Sequence, residues 1–116
     1  MKEQLNKYLK TLVAHRGSDL HIKAGAVPRV RVNGVLRMLG NETLDPEAVK
    51  TLVREITTAE QYVQLKERKS LDMAYILDDK NRFRVNIFYQ MNGLSIVMRL
   101  IPVEIPGFEE LRLPEV

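Results

Sequence analysis

Arginine and asparagine side chains are concentrated in two short segments near the end of the chain. Arg82, Arg84 and Asn86 alternate with apolar residues, and Arg99 lies in a second alternating segment. The period of two predicts two strands, and a two-residue turn at Asn92-Gly93 would join them as a hairpin. Any turn of even length puts the four polar side chains on one face. Guanidinium groups bind phosphate or carboxylate oxygens through paired hydrogen bonds, so this face fits an anionic partner.

The same segments predict which side of the hairpin is buried. A turn at Asn92-Gly93 would set Asn86 opposite Arg99, with Arg84 one diagonal step away. The face opposite the arginines is apolar or amphipathic throughout and is the predicted core side: Phe83, Val85, Ile87, Tyr89, Leu94, Ile96, Met98 and Leu100.

The pattern alone leaves two interpretations of the arginine face open. Like charges on neighbouring strands are unfavourable unless an anion or a carboxylate neutralises them, which favours a binding site. Outward charges with Asp and Glu nearby are also typical of a sheet with one solvated face. Arg29, Arg31 and Arg37 in another alternating segment fit protective edge charges at least as well as a binding patch.

Ser18, Asp19 and His21 bring a hydroxyl, a carboxylate and an imidazole together, which suggests a nucleophilic site. In a strand, Asp19 and His21 share a face about 6.6 Å apart, beyond direct contact at backbone spacing, and no oxyanion hole is evident. The alternative is an exposed edge residue or a locally hydrogen-bonded histidine, and the pattern favours it.

Composition excludes several kinds of site. The 116 residues include no cysteine, which removes disulfides, thiolate zinc sites and cysteine nucleophiles. The net charge of +3 is too small to indicate nucleic-acid binding by itself. No phosphate-binding Walker A, dinucleotide, zinc-protease or serine-hydrolase motif occurs, so no complete catalytic apparatus is visible and no metal site is expected. No apolar stretch approaches the roughly 18 residues of a membrane span, and we expect a cytoplasmic domain.

Periodicity predicts the elements that position these residues. Helical spacing covers residues 2–15, and Asp45-Pro46 and the capping box Thr58–Gln61 begin two further helices. Alternation predicts strands over 19–23, 29–32, 35–38, 71–77, 82–89 and 94–101, the second and third joined at Asn33-Gly34. The order α-βββ-αα-βββ predicts an α+β domain over residues 1–102, an antiparallel sheet of about six strands with helices on one face. Residues 103–116 are rich in proline and glutamate and are expected to be a linker.

Five segments, in order, resemble the N-terminal domain of the PilT-like retraction ATPases of type IV pili, within the secretion-ATPase superfamily. They are residues 17–22 (GSDLHI), 25–37 (GAVPRVRVNGVLR), 82–88 (RFRVNIF), 98–102 (MRLIP) and 108–114 (FEELRLP). The resemblance implies a PAS-like domain ahead of a RecA-like ATPase core in a hexameric ring, and the linker would lead to that core.

The resemblance also implies roles for individual residues. The family's two nucleotide-contacting arginines fall on Arg84 and Arg99, which the alternation had already placed on one face, with Arg82 and Asn86 as supporting residues. Asp19 and His21 belong to a family motif of unclear role. ATP and Mg²⁺ would be bound only by the full-length parent, because the Walker A lysine and the acidic boxes are missing here. The chain itself is expected to lack catalytic activity and to hold no cofactor.

The implied partners are the C-terminal ATPase domain, neighbouring subunits of a homo-hexamer and the inner-membrane platform proteins of the pilus, with the protein peripheral at the inner membrane. A stand-alone PAS-like sensor with a ligand cavity in its core is an alternative. The equivalent domain of a pilus assembly or type II secretion ATPase is another. A nucleic-acid-binding sheet would need stacking aromatics on the basic face, where only Phe88 lies, so nucleic acid is not an expected partner.

Overall fold

The computed structural model describes residues 1–91 and 93–102. The predicted linker over residues 103–116 and Asn92 of the predicted turn lie outside these ranges. The elements follow the predicted order: α1 (Lys2–Ala14), β1 (Asp19–Lys23), β2 (Arg29–Val32), β3 (Val35–Met38), α2 (Pro46–Ile56), α3 (Ala59–Arg68), β4 (Ser70–Ile76), β5 (Arg82–Gln90) and β6 (Gly93–Ile101).

Local sequence signals explain where α2 and α3 begin. The Asp45 carboxylate accepts a hydrogen bond from the Ala48 amide at 2.8 Å, and Pro46 occupies the first turn of α2. At α3, the Thr58 hydroxyl accepts from the Gln61 amide while the Gln61 side chain accepts from the Thr58 amide, which completes the predicted capping box.

The six strands form one antiparallel sheet in the order β3-β2-β1-β6-β5-β4. The first strand of the chain therefore lies in the middle of the sheet, between β2 and the last strand. The predicted α+β class, strand number and element order are confirmed. Between β2 and β3, Asn33 and Gly34 have φ angles of 53° and 80°, as the two central residues of a type I′ turn require.

One face of the sheet is covered by the three helices. The fully buried side chains include Leu5, Leu9 and Leu12 of α1 and the predicted core residues of the last hairpin, such as Phe83, Val85 and Ile96. This packing confirms that the apolar side of β5 and β6 faces the core. The other side of the sheet is called the outer face below. Within the described ranges, no helix combines the length and apolarity needed to cross a membrane.

The predicted register of the last hairpin is wrong by two residues. Gln90 pairs with Gly93, and Arg84 rather than Asn86 lies opposite Arg99. Gly93 has a φ of +134°, and a Cβ there would lie 3.1 Å from the Ala24 Cβ. The glycine is thus needed for a close approach to Ala24 at the start of β6. Because the shift is even, the two faces keep the predicted residues.

Candidate functional site

Four charged residues form a row across the outer face of the sheet. The register places Arg31 opposite Asp19, Asp19 opposite Arg99, and Arg99 opposite Arg84. These four residues, on β2, β1, β6 and β5, are called the polar row below. Directly opposed residues on neighbouring antiparallel strands have Cβ atoms about 4.5–5.5 Å apart, so the charges interact along the whole row. The row contains three guanidinium groups and one carboxylate.

Asp19 is the buried member of the row, with 5% of its surface exposed. Its Oδ1 lies 3.6 Å from the Arg99 Nε, and its Oδ2 lies 3.8 Å from the Arg31 Nε. A buried carboxylate is costly unless cations or hydrogen-bond donors surround it. The two flanking arginines supply the compensating charge, and each engages a different oxygen.

Arg84 and Arg99 line an open depression of about 320 Å³ on the outer face. Asp72, Asn86 and Val97 complete its lining, and the Asn86 side-chain amide donates to the Asp72 carboxylate at 3.1 Å. Among residues 1–91 and 93–102, no carboxylate forms an ion pair with Arg84. As far as residues 1–91 and 93–102 are concerned, the depression therefore contains one arginine that is paired and one that is not.

The structure bears on both interpretations of the arginine face. The nearby carboxylates expected of a solvated face are present at Asp19 and Asp72. Only Asp19 is paired with an arginine of the row, and the Arg99 side chain remains 70% exposed beside that pair. Positive charge is therefore left over at the depression, which is what an anion site requires.

The expectation of an exposed edge position for Asp19 and His21 is wrong. Because β1 pairs with strands on both sides, Asp19 is enclosed, and the His21 Nε2 lies 3.6 Å from the Asp19 Oδ2. The side chains thus approach more closely than the spacing along the strand suggested. The His21 Nε2 is buried and makes no hydrogen bond, so its contact with Asp19 is at ion-pair distance. Ser18 is exposed, and its backbone amide and carbonyl bond to β2 and β6.

The other predicted polar residues divide between the two faces. Arg82 lies on the outer face beyond the depression, opposite Ile101, and Arg29 lies opposite His21. Arg37 pairs with Val30 and so belongs to the opposite side of the sheet. Sequence reasoning missed the contact between Arg31 and Asp19. Alternation in the segments around Asp19 and Arg31 predicts the face on which each residue lies. The contact between them could be predicted only if β1 and β2 were known to be neighbours.

The described residues show no grouping of three or more His, Asp or Glu side chains that could hold a metal ion. They therefore do not fit a Mg²⁺ site of their own. The interior between helices and sheet is occupied by side chains with almost no exposure, among them Leu20, Leu52 and Ile87. The depression that contains the arginines lies outside this core.

Sequence and structure comparisons were made against known proteins. No protein-family model matches the chain. The type IV pilus ATPase PilU of Pseudomonas aeruginosa is 35% identical over 113 residues, which cover 97% of this chain and 30% of PilU. The type IV pilus retraction ATPase PilT of the same bacterium is 35% identical over 99 residues, covering 85% of this chain and 29% of PilT. A crystal structure of the pilus retraction motor PilT with bound ADP superimposes with a TM-score of 0.80, at 32% identity over 95% of this chain and 32% of that chain.

The chain is an N-terminal domain of a PilT-like pilus ATPase. The resemblance drawn from the five sequence segments is thereby confirmed. This PilT-like domain spans about 30% of the length of the curated relatives it matches.

Proposed function

We propose that this PilT-like domain supplies Arg84 and Arg99 to an ATP site that a RecA-like ATPase core completes. The proposal rests on one observation: the two arginines lie directly opposite each other and line the same depression. Two guanidinium groups at that spacing can contact different oxygens of one phosphate group. Such contacts stabilise the negative charge that develops during phosphoryl transfer.

The described residues supply only part of what this chemistry needs. Phosphoryl transfer also requires a phosphate-binding loop, carboxylates for Mg²⁺ and a positioned water. In this proposal the core domain would provide these groups, including carboxylates for a Mg²⁺ ion that would supply charge neutralisation at the phosphates. Arg84 and Arg99 contribute from across a domain boundary, and the outer face of the sheet becomes an interface. Arg82 and Asn86, beside the two arginines, are supporting residues.

The similarity to PilT supports a retraction motor as the parent protein. We propose that the parent is a hexamer in which this domain, of PAS-like architecture, contacts its own core and neighbouring subunits. The motor would work in the cytoplasm at the inner membrane, against the pilus platform proteins. The buried side chains that fill the core favour this function over a small-molecule sensor, which needs a ligand cavity at that position.

The test uses a chimera in which this chain replaces the matching part of Pseudomonas PilT. Arg84→Ala and Arg99→Ala should each lower kcat for ATP hydrolysis by about 100-fold, as loss of a charge-stabilising donor does. Arg84→Lys and Arg99→Lys should recover little activity, because lysine keeps the charge but lacks the planar pair of donors. Arg37→Ala is the control, since it removes an arginine from the opposite side of the sheet.

Hydrolysis at the parental rate in both alanine variants would refute the proposed role. The retraction role has its own readout, which is twitching motility of a PilT-deficient strain that carries the chimera. An active ATPase that fails to restore twitching would favour the assembly or type II secretion alternative.

A further inference from the structure

Asp19 is a charged residue in a buried position of the sheet. It lies in the middle strand of the sheet and is 5% exposed. Buried ion pairs contribute little net stability, because the cost of removing both charges from water offsets their attraction. A residue of this kind calls for a role other than packing.

The atoms that Asp19 contacts indicate such a role. Its Oδ1 lies 3.6 Å from the Nε of Arg99, which is an ion pair rather than a hydrogen bond, and within residues 1–91 and 93–102 the two terminal amino groups of Arg99 make no hydrogen bond. A guanidinium group carries five N–H donors in one plane, and four of them belong to those two terminal groups. Because Nε lies beside the carboxylate, the two terminal amino groups are the part of the guanidinium that can reach a phosphate. The 70% exposure of the Arg99 side chain agrees with this arrangement.

Arg31 limits how freely Asp19 can move. Its Nε lies 3.8 Å from the Asp19 Oδ2, and one of its terminal nitrogens donates to the Gly34 carbonyl at 3.2 Å. Arg31 is thus fixed at the turn between β2 and β3 while it holds the second carboxylate oxygen. The carboxylate is anchored on one side and holds Arg99 on the other.

We infer that Asp19 is a positioning residue, which fixes the Arg99 guanidinium so that its two terminal amino groups face the anion bound beside Arg84. The carboxylate also reduces the repulsion between Arg84 and Arg99, so that both can face one phosphate. The catalytic consequence rests on the proposed function, whereas the hold of Asp19 on Arg99 is a property of the domain itself.

The first experiment measures solvent exchange of the Arg99 Nε proton by NMR in the 116-residue chain. Asp19→Asn should speed this exchange about 10-fold, because it removes the negative charge beside Nε, which slows base-catalysed exchange. Arg31→Gln should slow it about threefold, because the whole carboxylate charge then acts on Arg99. Opposite effects of the two variants are not expected from a general loss of packing. Asp72→Asn is the matched control: it removes an exposed carboxylate from the same depression and should leave the exchange unchanged.

Equal exchange rates in the parent, Asp19→Asn and Arg31→Gln would overturn the inference. If the chain with Asp19→Asn does not fold, the slower exchange expected in Arg31→Gln still decides the question. Faster exchange in Arg31→Gln would show that Arg31 protects Arg99 by packing and that Asp19 does not position it.

The second experiment places Asp19→Asn in the PilT chimera. A reduction of kcat by about 10-fold, with KM for ATP within about twofold, is expected from a donor that is present but poorly oriented. If Arg99→Ala lowers kcat while Asp19→Asn does not, the positioning role fails and the proposed function stands. If Asp19→Asn alters Arg99 exchange while Arg99→Ala leaves kcat unchanged, the proposed function fails and the hold on Arg99 stands.

Discussion

Arg84 and Arg99 lie directly opposite each other on β5 and β6, and in the part of the chain that the structure describes Arg99 is paired with a carboxylate while Arg84 is not. Directly opposed like charges on neighbouring strands destabilise a sheet. The pair therefore lowers the stability of the free domain slightly, and a bound anion would remove that penalty.

Removing Arg84 should accordingly leave the domain as stable as before or slightly more stable. For Arg84→Ala we expect an increase in the free energy of unfolding of up to about 0.5 kcal/mol at low salt, with most of it lost at high salt. Urea denaturation at the two salt concentrations measures this difference, and Arg37→Ala on the other side of the sheet is the control. A loss of more than about 1 kcal/mol would mean that Arg84 makes a stabilising contact in the folded domain.

The 116-residue chain alone should not hydrolyse ATP and should bind it weakly. The described residues offer two arginines in an open depression but no group of acidic side chains that could hold Mg²⁺. Isothermal titration calorimetry measures the affinity, and a phosphate-release assay measures turnover. Turnover that persists after rigorous purification and is absent from Arg84→Ala would contradict this prediction.

Gly93 and Gly34 should respond differently to substitution by alanine. Both have positive φ, of +134° and +80°, but a Cβ at Gly34 meets nothing within 4 Å, whereas at Gly93 it lies 3.1 Å from the Ala24 Cβ. We expect Gly34→Ala to cost about 1 kcal/mol of unfolding free energy and Gly93→Ala about 2–3 kcal/mol.

Adding Ala24→Gly should recover part of the loss caused by Gly93→Ala, which a double-mutant cycle measures. Equal costs at the two glycines would mean that backbone conformation alone matters and that the contact with Ala24 is readily relieved.

Tyr75 makes the stability of the domain pH-dependent in the alkaline range. The residue is 8% exposed, its hydroxyl donates to the Asn6 side chain at 2.6 Å, and burial raises its pKa above the usual value of 10.0. Folding thus favours the neutral hydroxyl. The stabilisation that the neutral Tyr75 hydroxyl adds to the folded state is complete below about pH 10 and is lost as the pH rises through the folded-state pKa.

Tyr75→Phe tests this effect. At pH 7 it should cost about 0.5–1.5 kcal/mol through the lost hydrogen bond. The difference in unfolding free energy between the parent and Tyr75→Phe should shrink above pH 10, as measured by urea denaturation between pH 7 and 11. A difference that stays constant over this range would show that the hydroxyl titrates alike in the folded and unfolded chains.

The faces of the strands could be predicted from the sequence because side-chain alternation is a local property. Phe83 and Arg84 fall on opposite sides whatever the turn between β5 and β6. The helix starts were predictable for the same reason, since Asp45 and Thr58 cap their helices through residues three positions away.

Register and strand order depend on contacts that are distant in the sequence. The observed register places Gly93 against Ala24, almost 70 positions earlier in the chain. The contact between Arg31 and Asp19 follows from the pairing of β1 with β2, and the contact between Asp19 and Arg99 from the insertion of β1 beside β6. Local periodicity carries no information about which strands become neighbours.

The central position of β1 has a consequence for how the polar row comes into being. Arg31 and Asp19 come from the first three strands and Arg99 and Arg84 from the last three, and Asp19 and Arg99 are about 80 positions apart in the chain. Contacts between such distant segments are slow to form, because a long loop must close before they contribute any stability. A nascent or partly unfolded chain therefore presents Arg99 and Arg84 without the Asp19 carboxylate. The complete row exists only once both halves of the sheet have joined, so the assembled site marks a fully folded domain.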